Sequence, residues 1–139
     1  MNRRRAGFTL VEIMLVVVII GVIAALFVPN LIGRSDQARR TAAMTDLRSV
    51  GATLDMYRLD NAHYPSTDQG LEALVNEPSG LPEPMNYTPG GYARKVPTDP
   101  WQNPYVYINA GDTFELYSLG ADGKEGGEGS AADIHYRDL

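Results

Sequence analysis

The chain has 139 residues, no cysteine and a formal net charge of −5, enough for one domain of about 100 residues plus one separate segment. Without cysteine no disulfide can staple it, and the acidic balance gives no electrostatic case for a nucleic-acid partner. The charge is unevenly placed. Arg3, Arg4 and Arg5 open the chain, so the remainder is more acidic still.

Residues 8–28, FTLVEIMLVVVIIGVIAALFV, form an apolar run interrupted by one acid, Glu12. About 20 such residues can cross a hydrocarbon core of roughly 30 Å as a helix. Basic residues immediately before the run place the N-terminus in the cytoplasm and send the rest across. A cleaved secretory signal has an apolar stretch of only ~7–15 residues and a small-x-small cleavage site. Here the run is longer, and Val22 and Ile23 precede Ala24-Ala25. A plain anchor leaves Glu12 uncompensated, although a carboxylate within a membrane helix costs on the order of a few kcal/mol. A core helix of a soluble protein is seldom apolar over this length. Two readings of Glu12 remain from the residues alone: a snorkelling interfacial carboxylate, or one that pairs with a cation of a partner.

The string RRRAGFTLVEIM resembles the type III signal of type IV pilins and pseudopilins, which combines a short basic leader ending in Gly, a Phe, an acid shortly after it and an apolar helix. The resemblance implies that prepilin peptidase cuts between Gly7 and Phe8 on the cytoplasmic side. It further implies that the new amino group of Phe8 is methylated, and that Glu12, fifth in the mature chain, serves assembly. The chemistry is coherent. Cleavage exposes a cationic amine in an apolar setting, and a carboxylate one helical turn along can neutralise the amine of a neighbouring subunit. Such a pair is favourable only when both partners are present, so it sets register as well as adding energy. The implied division is a leader at 1–7, a transmembrane and polymerisation helix at 8–30, and a periplasmic domain at 31–139.

Pro29 lacks a backbone donor and Gly33 follows closely, which predicts a weak point in the helix at 29–33 before it resumes. Ala43, Leu47, Val50, Leu54 and Tyr57 then recur at spacings of three and four, an amphipathic helix of about 25 residues. Tyr64-Pro65 closes that region. Ser66 and Gln69 suit a capping box ahead of a short helix, Leu71 to Val75, that stops before Pro78. Residues 77–91 hold four prolines and three glycines and form a loop. Tyr92 to Val96 is expected to be a short extended piece. DPWQNPY at 99–105 makes a rigid turn anchored by Trp101. YVYI at 105–108 and FELYSL at 114–119 are β-rich runs joined by a hairpin link at 109–112. The fold class is α+β, with one long N-terminal helix, half transmembrane and half amphipathic, packed on two or three antiparallel strands.

Residues 120–130, GADGKEGGEGS, hold five glycines and three acids. Asp122 and Asp133 bound a segment of EF-hand length, and Gly127 falls at its sixth position. Lys124 nevertheless occupies a ligating position and no helix pair flanks the segment, so the EF-hand reading fails. An oxygen-rich glycine loop can still wrap a hard cation. On composition alone, a cation loop and a plain solvated loop remain open. The absence of cysteine and the separation of His63 from His135 argue against zinc, and both histidines are expected at the surface.

YPSTDQGLEAL, PTDPWQNPY and LYSLGADGKEGGEGSAADI extend the resemblance to the major pseudopilins of type II secretion. Together with the N-terminus they cover most of the chain except residues 77–95. The resemblance implies a pilin-like fold and one Ca2+ in the C-terminal loop, held by the Leu119 carbonyl, Asp122 and Asp133. Between Gly127 and Asp133 the pattern departs from the family, whose members often carry additional Asp. Glu128 and Ser130 are the candidate ligands there, with a carbonyl or water to complete the shell.

The function so implied is structural: a subunit that homopolymerises into a pseudopilus and drives folded proteins across the outer membrane. Its implied partners are the inner membrane, minor pseudopilins and the secretion platform. One alternative is a type IV pilin serving adhesion, motility or DNA uptake, although many of those staple their C-terminal loop with two cysteines. The other, a membrane-anchored calcium-dependent enzyme, lacks any convincing nucleophile elbow, P-loop, paired histidine ligands or Ser/His/acid set.

Overall fold

The computed structural model describes residues 8–139, except for the side chains of 27–34. The leader, with the expected cleavage residue Gly7, lies outside the described residues. A single helix, α1 (Leu10–Asn61), is followed by the strands β1 (Val106–Asn109), β2 (Phe114–Ser118) and β3 (Ile134–His135). Short 3₁₀ turns occupy Gly70–Leu74, Gly120–Asp122, Gly129–Ala131 and Tyr136–Asp138. The chain divides into two compact units, Met1–Asp36 and Gln37–Leu139.

In the first unit every described side chain from Phe8 to Leu26 is exposed, although almost all are apolar. Thr9 caps α1, its Oγ1 accepting the Glu12 N–H at 3.2 Å and so satisfying one of the orphan donors of a helix start. The helix continues without a break across 29–33, where a weak point is expected from Pro29 and Gly33. Among the described residues no helix is long and apolar enough to cross a membrane; the described side chains of the apolar run stop at Leu26.

In the second unit the predicted stripe is the core. Ala43, Leu47, Leu54 and Tyr57 are fully buried and Val50 nearly so, because their spacing puts them on one face of α1. They pack with Leu71, Leu74, Tyr105, Tyr107, Leu116 and Ile134. Gly51, on the same stretch of α1, admits the Tyr136 ring, which a Cβ would overlap. The helix stops at Asn61, and Ala62 adopts φ 66°. Asn61 itself is buried. Its Nδ2 donates to the Tyr57 carbonyl at 2.9 Å and to the Tyr92 hydroxyl at 3.0 Å, and its Oδ1 accepts from Asn86 N–H at 3.0 Å. One amide thereby ties the 77–91 loop to the end of α1.

The capping box forms reciprocally: Gln69 Oε1 accepts from Ser66 N–H at 2.9 Å, and Ser66 Oγ accepts from Gln69 N–H at 3.1 Å. It precedes a 3₁₀ turn, Gly70–Leu74, rather than an α-helix. The sheet is antiparallel throughout, in the order β1-β2-β3, with Asn109 opposite Phe114 at the hairpin and Ser118 opposite Ile134. Asn109 Oδ1 accepts from Gly111 N–H at 2.6 Å, closing the turn locally.

One further expectation fails. Tyr92–Val96 is not a strand; Tyr92 and Ala93 instead donate their N–H groups to the Leu74 carbonyl at 2.7 and 2.8 Å, which takes that stretch out of any ladder. The histidines are partly exposed. His63 lies between the Tyr64 and Glu83 carbonyls at 3.1 Å each, and the His135 ring lies 4.8 Å from that of Tyr117.

Candidate cation loop and assembly helix

The C-terminal loop leaves β2 and returns as β3, so both of its ends are fixed to the sheet. Its first limb is set by a buried carboxylate. Asp99, 3% exposed, sits in the rigid 99–105 turn. Its Oδ1 accepts from the N–H groups of Trp101 and Asn103 at 3.0 and 2.8 Å, and its Oδ2 accepts from Ser118 Oγ at 2.7 Å. Ser118 Oγ in turn accepts from Gly120 N–H at 3.1 Å, and Asn103 Nδ2 donates to the Gly120 carbonyl at 3.0 Å. Gly120, and with it the adjoining half-buried Leu119, is held on both sides. A charge taken out of water needs this number of donors to be tolerable.

The second limb closes on Asp133. Its Oδ2 accepts from Gly126 N–H at 2.9 Å, and its own N–H donates to the Gly126 carbonyl at 3.3 Å. The Gly120–Asp122 and Gly129–Ala131 turns lie against each other. At Gly120 and Gly127 the loop needs glycine twice over. Both have positive φ, 68° and 82°, and a Cβ would come within 2.8 and 2.5 Å of the Ala131 carbonyl oxygen. Both limbs thus wrap the same peptide group.

The candidate ligands fall out as follows. Asp122 is exposed, and its Oδ1 accepts from Lys124 N–H at 3.1 Å. Glu128 is exposed and Ser130 half-buried, on either side of Gly129. Asp133 Oδ1 is buried and has no hydrogen-bonding partner. Among the described residues no three His, Cys, Asp or Glu side chains are grouped to hold a metal by themselves, so carbonyl and hydroxyl oxygens would have to supply part of any shell. Orphaned carboxylate oxygens are costly when buried, and a hard cation is what an all-oxygen donor set accommodates. The chemistry of the donors, all oxygen with one carboxylate oxygen left over, is of the kind calcium takes.

Sequence reasoning missed Asp99, Asn103 and Arg40. The Asp99-Pro100 turn was visible, but nothing local marks its carboxylate as the post of a loop some twenty residues later. Arg40 Nη1 donates to the carbonyls of Gly129 at 2.8 Å and Ala132 at 3.0 Å, from a helix position that reads in sequence as one more solvated charge.

Just before α1 Phe8 is 78% exposed, and within its first turn Glu12 is also exposed. Glu12 is the single charged side chain between Phe8 and Leu26.

A model of the type II secretion system protein G family matches residues 30–137, and one of the prokaryotic N-terminal methylation motif matches residues 2–28. The chain is 58% identical over 135 residues to the type II secretion system core protein G of Pseudomonas aeruginosa, covering 96% of this chain and 95% of that protein. It is 54% identical to the core protein G of Vibrio cholerae, covering 95% and 91%. Its fold matches the crystal structure of the major pseudopilin from the type 2 secretion system of enterohaemorrhagic Escherichia coli with a TM-score of 0.69, at 46% identity, over 81% of this chain and 97% of that one. The helix on a three-stranded antiparallel sheet, the exposed N-terminal run and these matches lead to one conclusion: the chain belongs to the type II secretion system protein G family, the major pseudopilins, and is a structural subunit of a pseudopilus.

Proposed function

We propose that this subunit is made as a single-pass inner-membrane protein, with its N-terminus in the cytoplasm and the 31–139 domain in the periplasm, before it joins the filament. Prepilin peptidase trims it between Gly7 and Phe8 and the new Phe8 amine is methylated. Glu12 of one protomer then pairs with the Phe8 amine of another as the apolar helices bundle into a homopolymer. Minor pseudopilins and the secretion platform complete the machine, and filament growth pushes folded proteins across the outer membrane. The subunit's own role is mechanical, without catalysis. One Ca2+ in the C-terminal loop, taken by the Leu119 carbonyl, Asp122, Glu128, Ser130 and Asp133, stiffens the domain for that role.

The observation that carries this reading is the exposed run from Phe8 to Leu26 with Glu12 as its one charge. Soluble domains do not leave so long a contiguous apolar face in water, and the full sequence run, residues 8–28, has the length a bilayer requires. An unpaired carboxylate within it is unfavourable until a cation meets it. The test is expression with the secretion machinery, followed by shearing and electron microscopy. The unmodified chain is expected to form fibres. Glu12→Ala is expected to reach the membrane with its domain folded and to form none; normal fibres from that variant would remove the pairing.

A further inference from the structure

We infer that Arg40 is the positioning residue that couples cation binding in the C-terminal loop to helix α1. The inference rests on the calcium reading above. A single nitrogen, Arg40 Nη1, bridges the Gly129 and Ala132 carbonyls, the two ends of the Gly129–Ala131 turn. The peptide group between Ala132 and Asp133 is therefore held on both sides, its oxygen by Arg40 and its N–H by the Gly126 carbonyl. A peptide unit held at both polar atoms anchors the Cα of the residue that follows it and so limits where that residue's side chain can reach. That side chain is Asp133, whose Oδ2 is occupied by Gly126 N–H and whose Oδ1 is buried without a partner. Arg40 thus restrains the reach of the carboxylate oxygen best placed to meet a cation.

The bridge also has a direction of transfer. Asp99, Ser118 and Asn103 tie the first limb to the sheet and the 99–105 turn, whereas Arg40 ties the second limb to α1. A cation that draws the two limbs together stiffens the Gly129–Ala132 turn, and through the guanidinium it stiffens the stretch of α1 around Arg40. Arginine suits this task because its planar fork carries several donors at fixed angles and never loses its charge. Lysine is shorter and its ammonium lacks the planar fork, so it would meet the two carbonyls at other angles. Groups that orient a metal ligand without touching the metal commonly change its affinity by about 10- to 100-fold when removed.

The test uses the full chain in detergent micelles, with calcium chloride titrated by calorimetry and backbone amide exchange followed at 37–43, 126–133 and, as a control, 54–61. In the unmodified chain calcium is expected to slow exchange at both 126–133 and 37–43, leaving 54–61 unchanged. Arg40→Met is expected to bind calcium about tenfold or more weakly; at saturating calcium its loop still slows, but 37–43 no longer responds. Arg40→Lys is expected to move both readouts the same way by less, and it carries the decision if Arg40→Met fails to fold. Unchanged affinity together with an unchanged response at 37–43 overturns the role of Arg40 and leaves the calcium reading standing. No calcium binding by the unmodified chain overturns both.

Discussion

The exposed run of α1 and the C-terminal loop are incomplete in different ways. From Leu10 to Leu26 the backbone is helical, and the surplus is apolar surface. In the loop the apolar balance is settled by Ile134, which tucks into the core, and the surplus is one buried carboxylate oxygen on Asp133. Surplus apolar area calls for lipid and neighbouring protomers and is indifferent to their exact geometry. A lone buried oxygen calls for one donor or cation at one place. The nature of the unmet need thus suits the class of partner, the filament for the helix and the proposed ion for the loop. Between them the stripe Ala43–Tyr57 is complete in itself, buried against its own domain.

Four changes break or sharpen this contrast. The largest effect separates the two stretches of α1. Leu54→Ala empties a fully buried site and is expected to cost ~2–5 kcal/mol in denaturant unfolding of the domain. Leu15→Ala, at a position 58% exposed, is expected to leave that transition in place. Equal losses at the two positions would mean that the N-terminal run is part of the domain's core.

Next comes the ion. A ligand that binds only the folded state at a hundred times its dissociation constant adds about 2.7 kcal/mol, so a chelator is expected to lower the melting temperature measurably. Asp122→Ala and Asp133→Ala are expected to blunt that difference, whereas a change at His63 leaves it intact. A melt indifferent to calcium would make the loop a plain one.

Ser118→Ala tests the post beneath the loop. It removes the Oγ that donates to Asp99 and accepts from Gly120, and stranding a buried carboxylate oxygen costs about 1–3 kcal/mol. Unfolding by denaturant reads the loss directly. A neutral result would remove Asp99 from the account of the first limb.

The smallest effect is alkaline. Burial, helped by Tyr92, Tyr87 and Glu77, pushes the Tyr57 hydroxyl up from 10.0 to about 12. Burial also raises Tyr105 and Tyr107. The fold favours the neutral phenols, so the contribution of Tyr57 is fully present below the unfolded value and is lost as pH rises from about 10 through about 12. The melting temperature is expected to stay level up to about pH 9 and to fall above about pH 10. Tyr57→Phe is expected to shallow that fall and to cost no stability near neutrality, because the Tyr57 hydroxyl is buried without a partner. An identical slope in the variant would deny Tyr57 its share.

Much of this was legible in the sequence because its signals are local or periodic. Spacings of three and four put Ala43, Leu47, Val50, Leu54 and Tyr57 on one buried face. Ser66 and Gln69 cap each other across three residues, and Asn109 to Asp112 close a hairpin. The N-terminal motif is likewise contiguous. What stayed hidden depends on partners far along the chain. Tyr92–Val96 looks extended by composition, but the Leu74 carbonyl takes its donors. Arg40 and Asp99 look like ordinary polar residues until the fold carries Gly129 and Ala132 to one and Ser118 to the other.

The central claim is that a trimmed, cationic end of one subunit meets Glu12 of another. Intact mass of the subunit recovered from sheared pseudopili tests it most directly. The account predicts a chain that begins at Phe8, lacks residues 1–7 and carries one added methyl group. A chain still beginning at Met1 within functioning filaments would contradict it.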